Sequence, residues 1–160
     1  MTEDELKNVC TKIRECLDQW SMDGTLRTIA GSTMHNFPKG CCGIVTECLA
    51  VILYKITGTI PSQVTGECPG GHQNHDKLAA NSHTWIELCG ISIDLTGDQF
   101  NDGNISIPPV WVSSSIHPLS NKMDITTNAA FLIGITKEAS GFEVPQLRLI
   151  GKLRDELNLY

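Results

Sequence analysis

HTWIELCGISIDLT, residues 83–96, is two short alternating segments joined by Cys89-Gly90. Alternation of this kind around a Gly-containing dipeptide is a β-hairpin signal. Alternate strand residues share a face, so His83, Trp85 and Glu87 point one way and Thr84, Ile86 and Leu88 the other. On the return, Ser92, Asp94 and Thr96 oppose Ile91, Ile93 and Leu95. A two-residue turn at Cys89-Gly90 pairs Leu88 with Ile91, Trp85 with Asp94 and His83 with Thr96. A four-residue loop keeps that register and a three-residue loop breaks it. In it, His83 and Asp94 are diagonal neighbours on one face, roughly 7–8 Å apart between backbones and within side-chain reach. Ile86, Leu88, Ile91 and Ile93 form the apolar face for the core, and the other face reads as polar.

Outward from the hairpin, residues 3–20 place Leu6, Val9, Cys10, Ile13, Leu17 and Trp20 at helical spacing behind an acidic start, with a stop near Asp23-Gly24. Residues 25–40 read as a connecting loop that can hold a helical turn. From Cys42 to Lys55 apolar residues lie almost all round, which predicts a buried helix ending at Gly58. Ile60 to Val64 reads as a strand, residues 66–80 as a polar loop, and Val110 to Val112 as a short strand in an irregular 101–121 segment. Pro145 to Leu157 carries a second amphipathic helix. The order predicts an α+β fold, with N-terminal helices packed on a small antiparallel sheet. No repeat or linker divides the 160 residues, so a single domain over 1–160 is expected.

The block FPKGCCGIVTECLAVIL, residues 37–53, sets two adjacent thiols where the buried helix begins. Free N–H groups and the positive dipole end of a first helical turn stabilise a thiolate, lowering a cysteine pKa from about 8.5 towards neutrality. The same N–H groups can hold an oxyanion, and Gly40 and Gly43 leave room for a carbonyl to approach. The competing reading is that cysteine is a small core residue at a glycine corner. Cys10, Cys16, Cys48 and Cys89 are assigned to packing on that ground. A thiol nucleophile needs a base, and the base an orienting partner; His83 and Asp94 supply both.

Taken in order, Gly40-Cys41-Cys42, His83-Thr84-Trp85-Ile86-Glu87 and Asp94 resemble the transglutaminase-like superfamily of papain-fold cysteine enzymes, over about residues 37–100. That family shows a G-x-C helix start, an H-x-W-x-E strand and an Asp on the next strand. The resemblance implies a papain/transglutaminase-like core with Cys42 as nucleophile, His83 as base and Asp94 as its orienter. Cys41 stays the alternative nucleophile, and Cys41 and Trp85 are expected to border the substrate, Trp85 walling the cleft. It implies a cysteine hydrolase or acyltransferase (a peptidase, amidase or deamidase) that forms a thioester with a protein, peptide or small amide and needs no cofactor. The pattern lacks an upstream Gln for the oxyanion; Asn36, His35 and the Cys42 backbone are the stand-ins. The 66–80 loop is the expected recognition edge.

Composition limits the alternatives. A net charge of −6 without a basic block argues against nucleic acid or anionic membranes as partners. The start MTEDELKNVC lacks a signal-peptide layout, and seven cysteines without a framework spacing suit a reducing cytoplasm. Three rivals stand beside the cysteine enzyme. One is a zinc module built on Cys68, His72 and His75, with Cys41, Cys42 or His117 as fourth ligand, although C-x3-H-x2-H is an unusual spacing. The others are a cell-wall amidase of the NlpC/P60 kind and a non-catalytic interaction domain on the same fold. Asp98 and Asp102 read as a solvated acidic loop, and His35 and His117 as loop residues without an assignable partner.

Overall fold

The computed structural model describes residues 1–68, 82–102, 104–135 and 144–160. Helix α1 (Glu3–Asp23) starts with a reciprocal cap. The Glu5 N–H donates to the Thr2 hydroxyl at 3.2 Å, and the Thr2 N–H donates to the Glu5 carboxylate at 2.8 Å. The helix ends at Gly24, whose φ of 81° is the left-handed value a helix stop requires. Residues 25–40 hold more helix than the sequence suggests. Helix α2 (Thr25–Ala30) is followed by a 3-10 turn, Gly31–Met34. The spacing of Leu26, Ala30 and Met34, all buried, is the signal behind it. Helix α3 (Cys42–Thr57) is buried on most of its circumference, from Val45 to Leu53, and stops at Gly58, φ 72°. Helix α4 (Val144–Leu157) closes the chain, with Leu149, Ile150 and Leu153 inward.

The sheet contains β1 (Ser62–Glu67), β2 (Ser82–Leu88), β3 (Ile91–Asp94), β4 (Trp111–Ser113) and β5 (Asp124–Ala129), in the spatial order β4-β3-β2-β1-β5. Each adjacent pair is antiparallel, which with the helices makes the fold α+β. The hairpin has the two-residue turn: Leu88 faces Ile91, Glu87 faces Ser92 and Ile86 faces Ile93. Cys89 and Gly90 both have positive φ, 52° and 79°, as a type I′ turn demands. Strand β1 begins two residues later than expected. It is paired on both sides, and Pro61, which cannot donate to a ladder, is left before it. Strand β5 is a finding the sequence does not announce: DITTNA is exposed along its whole length, so no burial alternation marks it.

Both faces of the hairpin are covered. Ile86, Leu88, Ile93, Leu95 and Val112 join the helices in the main core. The opposite face, expected to be polar, carries a second cluster in which Trp85 and Val64 meet Phe100, Ile105, Ile107, Leu119 and Met123. The irregular segment after β3 folds over that face because its scattered apolar residues have nowhere else to be buried. Among the described residues no helix is long and apolar enough to cross a membrane.

Arg14 fastens this segment to α1. It lies on the buried stripe of the helix, between Cys10 and Leu17, and is 6% exposed. Its guanidinium forks onto both oxygens of Asp98 at 2.9 and 2.8 Å, donates to the carbonyls of Leu95 and Pro109 at 2.8 and 2.9 Å, and reaches Asp18 at 3.0 Å. It also sits 4.9 Å from the centre of the Phe37 ring. Asp98 is thus an ion-pair partner and not a solvated loop acid. Asp102 caps its own turn, accepting from the N–H groups of Asn104 and Ile105 at 2.7 and 2.9 Å.

Breaking a buried pair from one side leaves a charge and several carbonyls unpaired. Arg14→Met is therefore expected to lower unfolding free energy by about 3 kcal/mol in urea titration. Adding Asp98→Leu should recover part of that loss, and strict additivity of the two changes would contradict the account.

Candidate active site

The start of α3, the start of β2 and the end of β3 converge at one end of the sheet, bringing Cys42, His83 and Asp94 together. Cys41 is the N-cap of α3 and makes no side-chain cap bond to the first turn. The preceding loop is held from two sides: Cys41 N–H donates to the Pro38 carbonyl at 3.3 Å, and Gly40 N–H donates to Gln99 Oε1 at 3.1 Å. Gln99 Nε2 donates in turn to the Thr96 carbonyl at 2.8 Å, joining the cysteine loop to the turn after β3. One helical turn into α3, the Thr46 hydroxyl donates to the Thr84 carbonyl at 3.0 Å. That bond docks the helix that begins at Cys42 on the strand that carries His83.

The two thiols part company in their surroundings. Cys41 is fully buried, its thiol donates to the Lys39 carbonyl at 3.3 Å, and burial together with the neighbouring Cys42 pushes its pKa up to about 11. Cys42 is half-buried. Burial opposes its thiolate too, but the hydrogen bond and charge of His83 and the N–H groups of Thr84 and Gly43 outweigh it, so its pKa is lowered. The remaining cysteines follow burial and position. Cys10 is pushed up to about 12 and Cys48 is also raised, both by desolvation. Cys89, assigned to packing from the sequence, is instead exposed, because the hairpin turn holds it out.

His83 is fully buried, with Nε2 2.7 Å from Asp94 Oδ2. The other ring nitrogen, Nδ1, has no closed hydrogen bond and is left for the Cys42 thiol. Burial pulls the His83 pKa down, but the charge and hydrogen bond of Asp94 and the Cys42 thiolate raise it to about 9. Burial works against the Asp94 carboxylate as well. The charge of His83 and hydrogen bonds from His117 and His83 nevertheless hold it well below the usual carboxylate range. Cys42 lowered and His83 raised are both shifts in the direction that favours a thiolate–imidazolium pair.

Asp94 is held on every side. Oδ1 accepts the Thr96 N–H at 2.8 Å and the Thr96 hydroxyl at 3.3 Å, while Oδ2 faces both His83 and His117, the latter at 3.1 Å. A Cβ at Gly97 would lie 2.5 Å from Oδ2, so only glycine fits against the carboxylate there. Sequence reasoning missed Thr46, Gln99 and His117. Thr96 and Gly97 stand within three residues of Asp94, and a short acceptor beside a turn glycine was the available signal.

Cys41 and Trp85, expected beside the substrate, are both fully buried. Trp85 stacks on His117 with ring centres 4.2 Å apart, beneath the site and away from any open wall. Asn36 and His35 are exposed in the loop before Cys41. Of the zinc ligands considered, His72 and His75 lie outside the described residues. His117 has both nitrogens engaged, Nε2 with Asp94 and Nδ1 with the Leu119 N–H. Among the described residues no group of His, Cys, Asp or Glu side chains gathers as a metal site. No family model matches the chain, and no characterised protein or solved structure matches it with significance.

If the Thr46–Thr84 bond sets the thiol against the imidazole, Thr46→Val should cost about 1 kcal/mol of stability. It should also slow iodoacetamide alkylation of Cys42 at pH 6.5 several-fold, read by peptide mass spectrometry, while Thr46→Ser preserves the rate. An unchanged Cys42 rate in Thr46→Val would remove the bond from the account.

Proposed function

We propose that the protein is a cysteine hydrolase or acyltransferase of papain/transglutaminase-like architecture, acting on an amide or peptide carbonyl through a thioester. The supporting observation is the order of groups at the site: a half-buried thiol at a helix start, an imidazole against it, and a buried carboxylate on the far ring nitrogen. Of the three side chains only Cys42 reaches the surface; His83 and Asp94 are enclosed. A substrate carbonyl would therefore approach from the Cys42 side.

In this reading the Cys42 thiolate adds to the carbonyl carbon, and the new oxyanion is held by the N–H of Cys42 at the head of α3. The His83 imidazolium passes its Nδ1 proton to the leaving amine, the C–N bond breaks, and a thioester remains on Cys42. His83, now neutral, takes a proton from the incoming water or amine as it attacks the thioester, which restores the thiolate–imidazolium pair. Asp94 keeps the proton on Nε2, leaving Nδ1 as the working nitrogen throughout. The chemistry uses the thiol itself, so the reading includes a reducing compartment such as the cytoplasm.

An activated ester tests the first half of the cycle. With p-nitrophenyl acetate at pH 7, one equivalent of nitrophenolate should be released in a burst, and one acetyl group should appear on Cys42 by mass spectrometry. His83→Ala should slow the burst by about a hundredfold or more, and Cys42→Ala should abolish it. Acetylation spread over several thiols, or the same burst without His83, would sink the reading.

A further inference from the structure

The sequence left His117 without a role, and the cysteine chemistry proposed above does not require a second histidine. Yet its Nε2 lies 3.1 Å from the same carboxylate oxygen that His83 approaches at 2.7 Å. Two imidazoles on one buried oxygen call for an account of which protons they carry.

The backbone supplies it. Leu119 donates its N–H to His117 Nδ1 at 3.2 Å, so that nitrogen presents a lone pair and the ring proton sits on Nε2, aimed at Asp94. The ring cannot easily leave this pose. It is 2% exposed, stacked on Trp85 at 4.2 Å and 14°, and met edge-on by Trp111 at 5.8 Å. Trp111 is itself anchored, its Nε1 donating to the Ser92 hydroxyl at 2.8 Å.

We propose that His117 is a positioning residue: its Nε2–H fixes Asp94 Oδ2 in line with His83 Nε2 and so holds the His83 ring in the orientation that turns Nδ1 to Cys42. The inference rests on the cysteine reading. With Thr96 holding Oδ1, the carboxylate is pinned at both oxygens and cannot rotate away from His83. A neutral donor suits the task. It satisfies a lone pair of a buried anion without cancelling the charge that supports the His83 imidazolium. The titratable groups that bear on the arrangement are His83 from β2, Asp94 from β3, His117 from the segment between β4 and β5, and Cys42 from α3.

The test is the pH profile of Cys42 alkylation in the full chain, for the wild type, His117→Phe and His117→Gln. Phe keeps the stacked ring without the donor, and Gln keeps an N–H donor without the ring. In His117→Phe the acid limb should move up by about one pH unit, which is roughly a tenfold slower reaction at pH 6. His117→Gln should stay within about twofold of the wild type. A folded His117→Phe whose profile superimposes on the wild type would overturn the proposal, as would a shift of the limb to lower pH, which would make His117 a competitor for Asp94. Should His117→Phe not fold, the ring 15N shifts of the wild type at pH 7.5 decide. A bare Nδ1 and protonated Nε2 on His117 support the proposal, and an Nδ1–H tautomer or a doubly protonated ring overturns it. A wild type whose Cys42 shows no fast reaction below pH 7 fails the cysteine reading and this proposal together; normal Cys42 reactivity untouched by position 117 fails the proposal alone.

Discussion

A carboxylate with only 1% of its side-chain surface exposed must have its negative charge met by protein groups, and the Asp94 carboxylate sets the terms for what surrounds it. Thr96 reaches it from the same turn, His83 from the neighbouring strand and His117 from the segment that wraps over the sheet. Each donor comes from a different stretch of chain, so keeping Asp94 ionised and keeping these stretches in place are one requirement. Gly97 leaves the space the carboxylate occupies. Arg14 secures the same turn from the helix side by binding Asp98 and the Leu95 carbonyl.

The adjacent cysteines show how sharply local surroundings divide equal chemistry. Cys41 points into apolar packing and becomes a poor acid, pushed up to about 11. Cys42, one residue on, is at the first position of α3, where His83 and two backbone N–H groups stabilise its thiolate. Neither effect is available to the sequence, because a rotation of one helical residue decides which thiol faces the imidazole. The raised His83 also ties stability to pH. The His83 contribution is complete below about 6.5, its ordinary value, and is lost as pH rises through about 9.

Much of the fold was legible in periodicity. The stripe of α1, the all-round apolar character of α3 with Gly58 behind it, and the HTWIEL–ISIDLT alternation each correspond to an element in place. The hairpin register followed from counting residues about Cys89-Gly90, and it put His83 and Asp94 side by side. What stayed hidden was set by tertiary context. Strand β5 exists through pairing with β1, not through any pattern of its own. The wrap of Phe100, Ile105, Ile107, Leu119 and Met123 over the face of Trp85 rests on apolar residues at irregular spacing, which no period reveals. Arg14 could have been noticed, since a charge on an apolar stripe must find partners. His117 could not, because its partner lies 23 residues back in sequence and across the sheet.

The central claim is that Cys42 and His83 form a thiolate–imidazolium pair supported by Asp94, and the most direct measurement of it is the protonation of the His83 ring. In 15N-histidine NMR at pH 7.5, the account predicts both His83 nitrogens protonated, titrating near pH 9, and a marked downward move of that titration in Cys42→Ala. A His83 ring that is neutral at pH 7.5 in the wild type, or whose titration ignores the loss of the Cys42 thiol, would contradict it.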